Sequence, residues 1–208
     1  MSEPIPKRFS FDLSGGHLAL DFANTVSWRL TDHKERLPNY GALVLWAEQA
    51  GVLPRRRTTT LLEQSMRTPA EASAVLQEAL ALREAIFEIF RAVAEKRPAP
   101  QAALGKLNIF LMQGAPFVRL AAQDKAFAWD WETANHRLDA MLWPVARAAA
   151  DLLTSDALVH VRICDAPDCA WLFLDKTRNH QRRWCDMTTC GNRVKARRHY
   201  ARMKSAAR

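Results

Sequence analysis

The spacing of apolar residues predicts that the first 154 residues are mostly helical. The clearest 3.6-residue period runs from Val75 to Ala94, with Pro69 at a first helical position and Pro98 where the helix ends. We expect Asn39 to cap another helix. The same apolar spacing predicts helices over 40–50, 104–111 and 138–152.

Two other segments alternate apolar and polar residues, which is typical of half-buried strands. Phe127, Trp129 and Trp131 alternate after the turn residues 123–125, which predicts a small β-hairpin. A second hairpin is predicted from the alternation over 159–163 and the apolar strand over 171–174. The predicted fold class is therefore mainly α. A helical N-terminal body with a small β-hairpin occupies residues 1–154, and a separate C-terminal unit occupies residues 155–208.

Positive charge is concentrated at the C-terminal end of the 208-residue chain. Residues 176–208 hold eleven lysines and arginines against one acid, whereas the rest of the chain carries 19 basic and 21 acidic groups. This asymmetry predicts that the C-terminal unit binds a polyanion. The chain has no apolar stretch of about 18 residues and no secretory signal. We therefore expect a cytoplasmic protein that does not enter a membrane and keeps its cysteines reduced.

All four cysteines lie in the C-terminal unit, in two close pairs. Cys164, Cys169, Cys185 and Cys190 follow the spacing C-x4-C-x15-C-x4-C, which is typical of a site for one structural zinc ion. Four thiolates leave no open coordination position, so a catalytic zinc is not expected. Two disulfides, four unrelated core cysteines, or iron in place of zinc are the alternatives. A knuckle, a hairpin and then a helix that supplies the second pair would form a treble-clef-like zinc finger.

A tetrapeptide in this unit points to a known family. Cys190–Arg193 reads CGNR, and the stretch over about 157–204 resembles the CGNR zinc-finger family, which is named for these residues. The N-terminal body resembles the ABATE domain that usually precedes this finger, on the segments LALDFANT (18–25) and LDAMLWPVAR (138–147). The resemblance implies a stress-related bacterial transcription regulator.

A basic helix is predicted after Asp186, which stands where an N-cap is expected, and continues to about Met203. Such a helix fits a DNA major groove, and arginine can bind phosphate or guanine through two hydrogen bonds. RNA, an acidic protein or no partner are the alternatives, and a specific regulator would need to form a homodimer. The predicted nucleic-acid-binding residues are Arg178, Arg182, Arg183, Arg193, Lys195, Arg197, Arg198 and Arg202.

Two charged residues of the body lie among apolar ones. Arg83 falls in the apolar stripe of the helix with the clearest period, and Asp21 stands in the run Leu18–Phe22. A buried charge needs a partner, so Arg83 is expected to pair with Asp21 or another carboxylate, or to extend its head group to solvent. The alternative is a pocket for a small anionic effector, which would make the protein a sensor as well as a regulator. Its predicted lining residues are Asp21, Asn24, Trp46, Arg83 and Trp143.

The sequence contains no strong catalytic motif. Gly15-Gly16-His17 lacks the lysine and the glycine spacing of a phosphate-binding loop, and no GxSxG or HExxH sequence occurs. We therefore expect a zinc-dependent DNA-binding protein that regulates transcription rather than an enzyme. The alternatives are an RNA- or protein-binding zinc module, or an enzyme whose body acts on a small anionic metabolite.

Overall fold

The chain forms seven α-helices and three two-stranded antiparallel sheets within residues 10–124, 126–131 and 137–206, which the computed structural model describes. In chain order the elements are α1 (Leu18–Ala23), β1 (Val26–Ser27), β2 (Lys34–Glu35), α2 (Tyr40–Gln49), α3 (Arg55–Arg67), α4 (Pro69–Ala94), α5 (Gln101–Gly114), β3 (Arg119–Gln123), β4 (Ala126–Asp130), α6 (Leu142–Leu153), β5 (Val161–Ile163), β6 (Leu172–Leu174) and α7 (Asn192–Ala206). A π-helical turn, Met187–Gly191, precedes α7. The predicted fold class, mainly helical with small hairpins, is confirmed. None of the described helices is long and apolar enough to cross a membrane.

Local sequence explains where several elements begin. Asn39 caps α2 as predicted, because its side chain accepts a hydrogen bond from the Ala42 N–H at 2.9 Å. Pro69 lies at the start of α4, where its missing N–H needs no partner. β3 and β4 pair with Ala122 opposite Phe127, which confirms the predicted hairpin of the body. The half-buried face predicted from the alternation is wrong, because Phe127 and Trp129 are both exposed.

Two helices have no counterpart in the sequence prediction. α3 buries only Thr58 and Leu61, so its sequence shows little apolar periodicity. α1 is six residues long, which is too short for a clear 3.6-residue pattern. The helix predicted over 138–152 begins at Leu142, because residues 138–141 form a turn. Pro144 therefore lies in the first turn of α6, where proline is tolerated.

Helix α4 lies at the centre of the hydrophobic core. It packs against α1, α2, α5 and α6, and Trp46 of α2 contacts Phe22 of α1 with ring centroids 4.8 Å apart. The same core continues into the C-terminal unit, because Val161 of β5 and Leu172 and Leu174 of β6 belong to it. The β5–β6 hairpin therefore packs directly against the body and shares its hydrophobic core.

Candidate metal centre and basic helix

The first cysteine pair lies on a tight turn between β5 and β6. Cys164 follows β5, and its N–H donates to the carbonyl of Trp171 at 2.8 Å, while the Cys169 N–H donates to the carbonyl of Ala166 at 3.1 Å. Ala170 has a φ of +57°, which turns the chain back toward β6. These contacts bring both buried cysteines to the same end of the hairpin.

The second cysteine pair lies where the basic helix begins. Cys185 precedes Asp186, whose carboxylate accepts a hydrogen bond from the Thr189 N–H at 2.7 Å and so caps the π-helical turn. Cys190 lies within that turn, shortly before α7. The N-cap predicted at Asp186 is present, with one turn of wider helix between it and α7.

The four cysteine sulfur atoms form one cluster. The Sγ atoms of Cys164, Cys169, Cys185 and Cys190 lie within 4.8 Å of one another. The distance is 3.7 Å between Cys169 and Cys185 and 3.6 Å between Cys185 and Cys190, and no disulfide links the four. Tetrahedral zinc with bonds of about 2.3 Å requires sulfurs about 3.8 Å apart. The cluster therefore fits one structural zinc ion in ligand type, number and spacing, and the disulfide alternative does not hold.

These thiols need a cation if all four are to ionise. Hydrogen bonding with Cys164 and the other thiols raises the pKa of Cys185 above its usual range. Hydrogen bonding with Cys164, Cys169 and Cys185 instead lowers the pKa of Cys190. Contact among the sulfurs alone thus favours some thiolates at the expense of others. Zinc held by the four cysteines supplies the positive charge that keeps every sulfur ionised.

Two residues of the CGNR tetrapeptide support the sulfur cluster. A Cβ atom on Gly191 would lie 2.5 Å from the Met187 sulfur and 3.3 Å from the Trp184 ring, so a larger residue requires these two side chains to shift. Arg193 Nη2 donates to the sulfur of Cys190 at 3.3 Å. Its charge offsets the excess negative charge of a zinc ion bound by four thiolates.

Asp168 is a functional residue that the sequence prediction missed. Its buried carboxylate accepts hydrogen bonds from Arg193 at 2.9 Å and from Arg197 at 2.8 Å. Arg193 also lies over the ring of Trp28, 4.3 Å from the ring centroid. Asp168 thus fixes the first turns of α7 beside the first cysteine pair, and Trp28 connects the same arginine to the body. The signal in the sequence is an acidic residue directly before the ligand Cys169.

Arg182 and Arg183 occupy different surroundings, although both are predicted to bind nucleic acid. The Arg182 guanidinium stacks on Phe173, 4.6 Å from the ring centroid, and donates to the carbonyl of Cys185. Arg183 is exposed and forms an ion pair with Asp165 at 2.8 Å. Arg182 therefore supports the chain at a zinc ligand, whereas Arg183 lies at the surface.

The other predicted nucleic-acid-binding residues lie on exposed parts of the C-terminal unit. All side chains from Lys195 to Lys204 are exposed. Lys195, Arg198 and Arg202 share one face of α7 because they stand three and seven positions apart. Arg178 is exposed in the segment that follows β6. The outer face of α7 is therefore cationic, whereas the face that carries Arg193 is bound to Asp168.

Hydrogen bonds join the C-terminal unit to the body. The Asn24 side chain accepts from the Leu172 N–H at 2.9 Å and donates to the Leu172 carbonyl at 2.8 Å. The Leu174 N–H donates to the carbonyl of Gly15 at 2.8 Å. The body thus satisfies polar backbone groups of β6 that would otherwise be buried without partners. We call these contacts the β6 junction.

Replacing Asn24 with alanine should lower the free energy of unfolding by about 2–4 kcal/mol. The change leaves the N–H and C=O of Leu172 buried without partners, and each such group costs about 1–3 kcal/mol. Urea denaturation monitored by circular dichroism measures the loss. Asn108→Ala on the exposed face of α5 is the matched control and should change stability by less than about 0.5 kcal/mol. Equal stability of the two variants would contradict a stabilising role of the β6 junction.

Three residues predicted to line an effector pocket lie in separate surroundings. Asn24 pairs with β6, as described above. Trp46 packs on Phe22, whereas Trp143 stacks on Phe117 with ring centroids 4.7 Å apart. An effector pocket built from these residues stays a prediction. Each of the three has a contact inside the protein, although the indole N–H groups of Trp46 and Trp143 are buried without a hydrogen-bond partner among the described residues.

The two charged members of that predicted pocket have protein partners. Asp21 Oδ1 accepts from the Gly15 N–H at 2.9 Å, and burial raises the pKa of this carboxyl to about 7. A Cβ atom on Gly15 would lie 2.8 Å from the same oxygen, so glycine permits the close approach. Arg83 binds Glu35 through hydrogen bonds of 2.7 and 2.8 Å and Glu84 through one of 2.9 Å. Arg83 therefore has a carboxylate partner, as expected, but the partner is not Asp21.

Fold and site together define a four-cysteine zinc finger built onto a helical body. Residues 16–156 match the family model of ABATE, described as a putative stress-induced transcription regulator. Residues 160–203 match the family model of the CGNR zinc finger. No curated protein matches the chain. The chain belongs to the ABATE family and carries the CGNR zinc finger, as the resemblance implies.

Proposed function

We propose that this protein is a zinc-dependent, DNA-binding regulator of transcription, with α7 as the element that contacts DNA. The observation that carries the proposal is the exposed cationic face of Lys195, Arg198 and Arg202 on a helix that starts at the sulfur cluster. A helix of about 10–12 Å diameter matches the width of the major groove. The description of the ABATE family supports the regulatory role. Zinc held by four thiolates favours a reducing compartment, so we propose the cytoplasm.

The start of α7 is held in place before any partner binds. The sulfur cluster holds Cys190, and Asp168 holds Arg193 and Arg197. A preorganised binding element loses less conformational entropy on association. The cluster would therefore contribute to DNA binding through the direction of α7, without contacting DNA itself.

Arg197 has two roles in this proposal. One of its donors binds Asp168, yet 55% of its side chain is exposed. A guanidinium has five N–H donors, so the same residue can bind Asp168 and a phosphate. Arg193 is less suited to DNA, because its guanidinium is engaged by Asp168, Cys190 and Trp28. We therefore expect the outer face of α7 to make most of the contacts.

Lys195→Gln combined with Arg198→Gln should weaken binding to duplex DNA and reduce its dependence on salt. Each phosphate contact that is lost lowers the slope of log affinity against log salt by about 1, so the double variant should lose about 2. Affinity should fall at least about tenfold at the lower salt concentration. Fluorescence anisotropy with random-sequence duplexes between about 50 and 200 mM salt measures both quantities.

Arg67→Gln combined with Lys106→Gln is the matched control, because it removes the same charge from exposed sites on α3 and α5. It should leave the salt slope unchanged. A normal slope in the α7 double variant would place the DNA contact elsewhere. Tighter binding to RNA than to DNA would favour an RNA-binding module instead.

The mass of the complex tests the predicted homodimer, because two chains per duplex support it and one chain contradicts it.

A further inference from the structure

A cavity of about 350 Å³ opens on the body. It lies between the start of α3, the β3–β4 hairpin and the start of α6. Its lining includes the buried Leu53 and Met141 as well as Trp129 and Trp131. The volume falls in the range of about 300–1,000 Å³ that is typical of small-molecule sites. None of its lining residues belongs to the C-terminal unit or to the five residues predicted as an effector pocket.

One aromatic wall of the cavity is both exposed and held in position. Trp129 is 45% exposed, which is unusual for so large an apolar side chain. The Arg147 guanidinium lies over its ring at 4.4 Å from the centroid, and Arg147 in turn donates to Asp151 at 2.7 Å. A flat apolar occupant would cover the indole that solvent now reaches.

Two arginines and one acid are the charged residues among those lining residues that the structure describes. Arg56 and Arg57 both line the cavity, against one acid, Asp130, which accepts from Arg119 at 2.7 Å. Burial lowers the pKa of Arg57, Tyr40 raises it, and the neighbouring Arg56 lowers it. Both arginines also interact with other groups of the protein. A guanidinium has five N–H donors, so each arginine can keep such an interaction and still bind an anion in the cavity.

We propose that this cavity binds a small aromatic carboxylate, whose ring packs on Trp129 and Trp131 and whose carboxylate is bound by Arg56 and Arg57. The apolar residues and tryptophans select a flat hydrophobic body, and the planar guanidinium matches the carboxylate. The site goes beyond DNA binding, because no zinc ligand and no residue of α7 contributes to it. The cavity would give the N-terminal body its own ligand, an aromatic carboxylate.

Calorimetric titration of the full-length zinc-bound protein with 2-naphthoate tests the proposal. Wild type should bind one equivalent saturably, and the neutral analogue 2-naphthylmethanol should bind at least about tenfold more weakly. Arg57→Gln should weaken naphthoate binding by about tenfold or more, as should Trp129→Ala. Because Arg57 is half-buried, Arg56→Gln at an exposed position provides a second charge variant that leaves the core unchanged.

Arg67→Gln at the other end of α3 is the matched control and should bind naphthoate as wild type does. No saturable binding in wild type, equal affinity for the two probes, or unchanged affinity in both Arg56→Gln and Arg57→Gln would each overturn the proposal. Zinc content and DNA affinity are measured on the same samples. Because neither depends on the cavity, failure of this site leaves the proposed DNA binding to be decided by its own test.

Discussion

Cys185→Ser should abolish stoichiometric zinc binding and unfold the cysteine turns together with α7. Zinc contributes about 10–16 kcal/mol to the folding of small fingers. Among the described residues, the apolar cluster around the four sulfurs has Ala166 and Phe173 as its only further buried members, so it holds little apolar area of its own. The body should stay folded, including Leu172 of β6, because that residue belongs to the main core. DNA binding should be lost as well, because α7 is the proposed contact. Metal analysis measures the loss of zinc, circular dichroism the loss of helix, and fluorescence anisotropy the loss of DNA affinity.

Thr188→Ser is the matched control for this prediction. It keeps the hydroxyl that donates to Asp186 at 2.6 Å, so it should retain zinc, helix content and DNA affinity. A full equivalent of zinc in Cys185→Ser would contradict the four-cysteine site. Loss of zinc with unchanged DNA affinity would show instead that the metal does not position α7. Metal analysis of wild type also distinguishes zinc from iron.

Arg83→Met should lower the free energy of unfolding by about 2–3 kcal/mol, less than for a fully buried ion pair because the Glu35 side chain is 31% exposed. Arg83 is 3% exposed and binds Glu35 through two hydrogen bonds and Glu84 through a third. Removing one partner of a buried ion pair leaves the other charge without compensation, which is the costly outcome. Glu84 keeps its bond to Arg29 at 2.7 Å, so Glu35 bears most of the loss. Chemical denaturation at neutral pH measures the difference.

Arg91→Met on the same helix is the matched control. Arg91 forms an ion pair with Glu95, and the Arg91 side chain is 43% exposed. The free energy of unfolding should therefore fall by less than about 1 kcal/mol. Burial raises the pKa of Glu35, but the bonds from Arg83 outweigh it and leave that pKa lowered. The stabilisation is therefore present above the unfolded pKa and lost as pH falls through the folded pKa. A loss in Arg83→Met that matches the control, or that persists in strong acid, would contradict this account.

Local chemistry made much of the molecule predictable. The four zinc ligands lie in one short segment, and their number and spacing follow from tetrahedral coordination. The cap at Asn39 and the helical period of α4 depend only on residues within a few positions of each other. α3 escaped prediction because it buries two residues, so its sequence resembles that of a polar loop.

The sequence by itself determined that a cysteine cluster, a basic helix and a helical body exist. Only the tertiary structure decided which charges serve the fold. Arg83 pairs with Glu35, which lies 48 positions away in the sequence, and Asp168 pairs with Arg193, which lies 25 positions away. Lys195 and Arg198 remain exposed on the outer face of α7. The physical reason is that a buried charge must find a partner wherever the folded chain brings one, whereas an exposed charge is already stabilised by water.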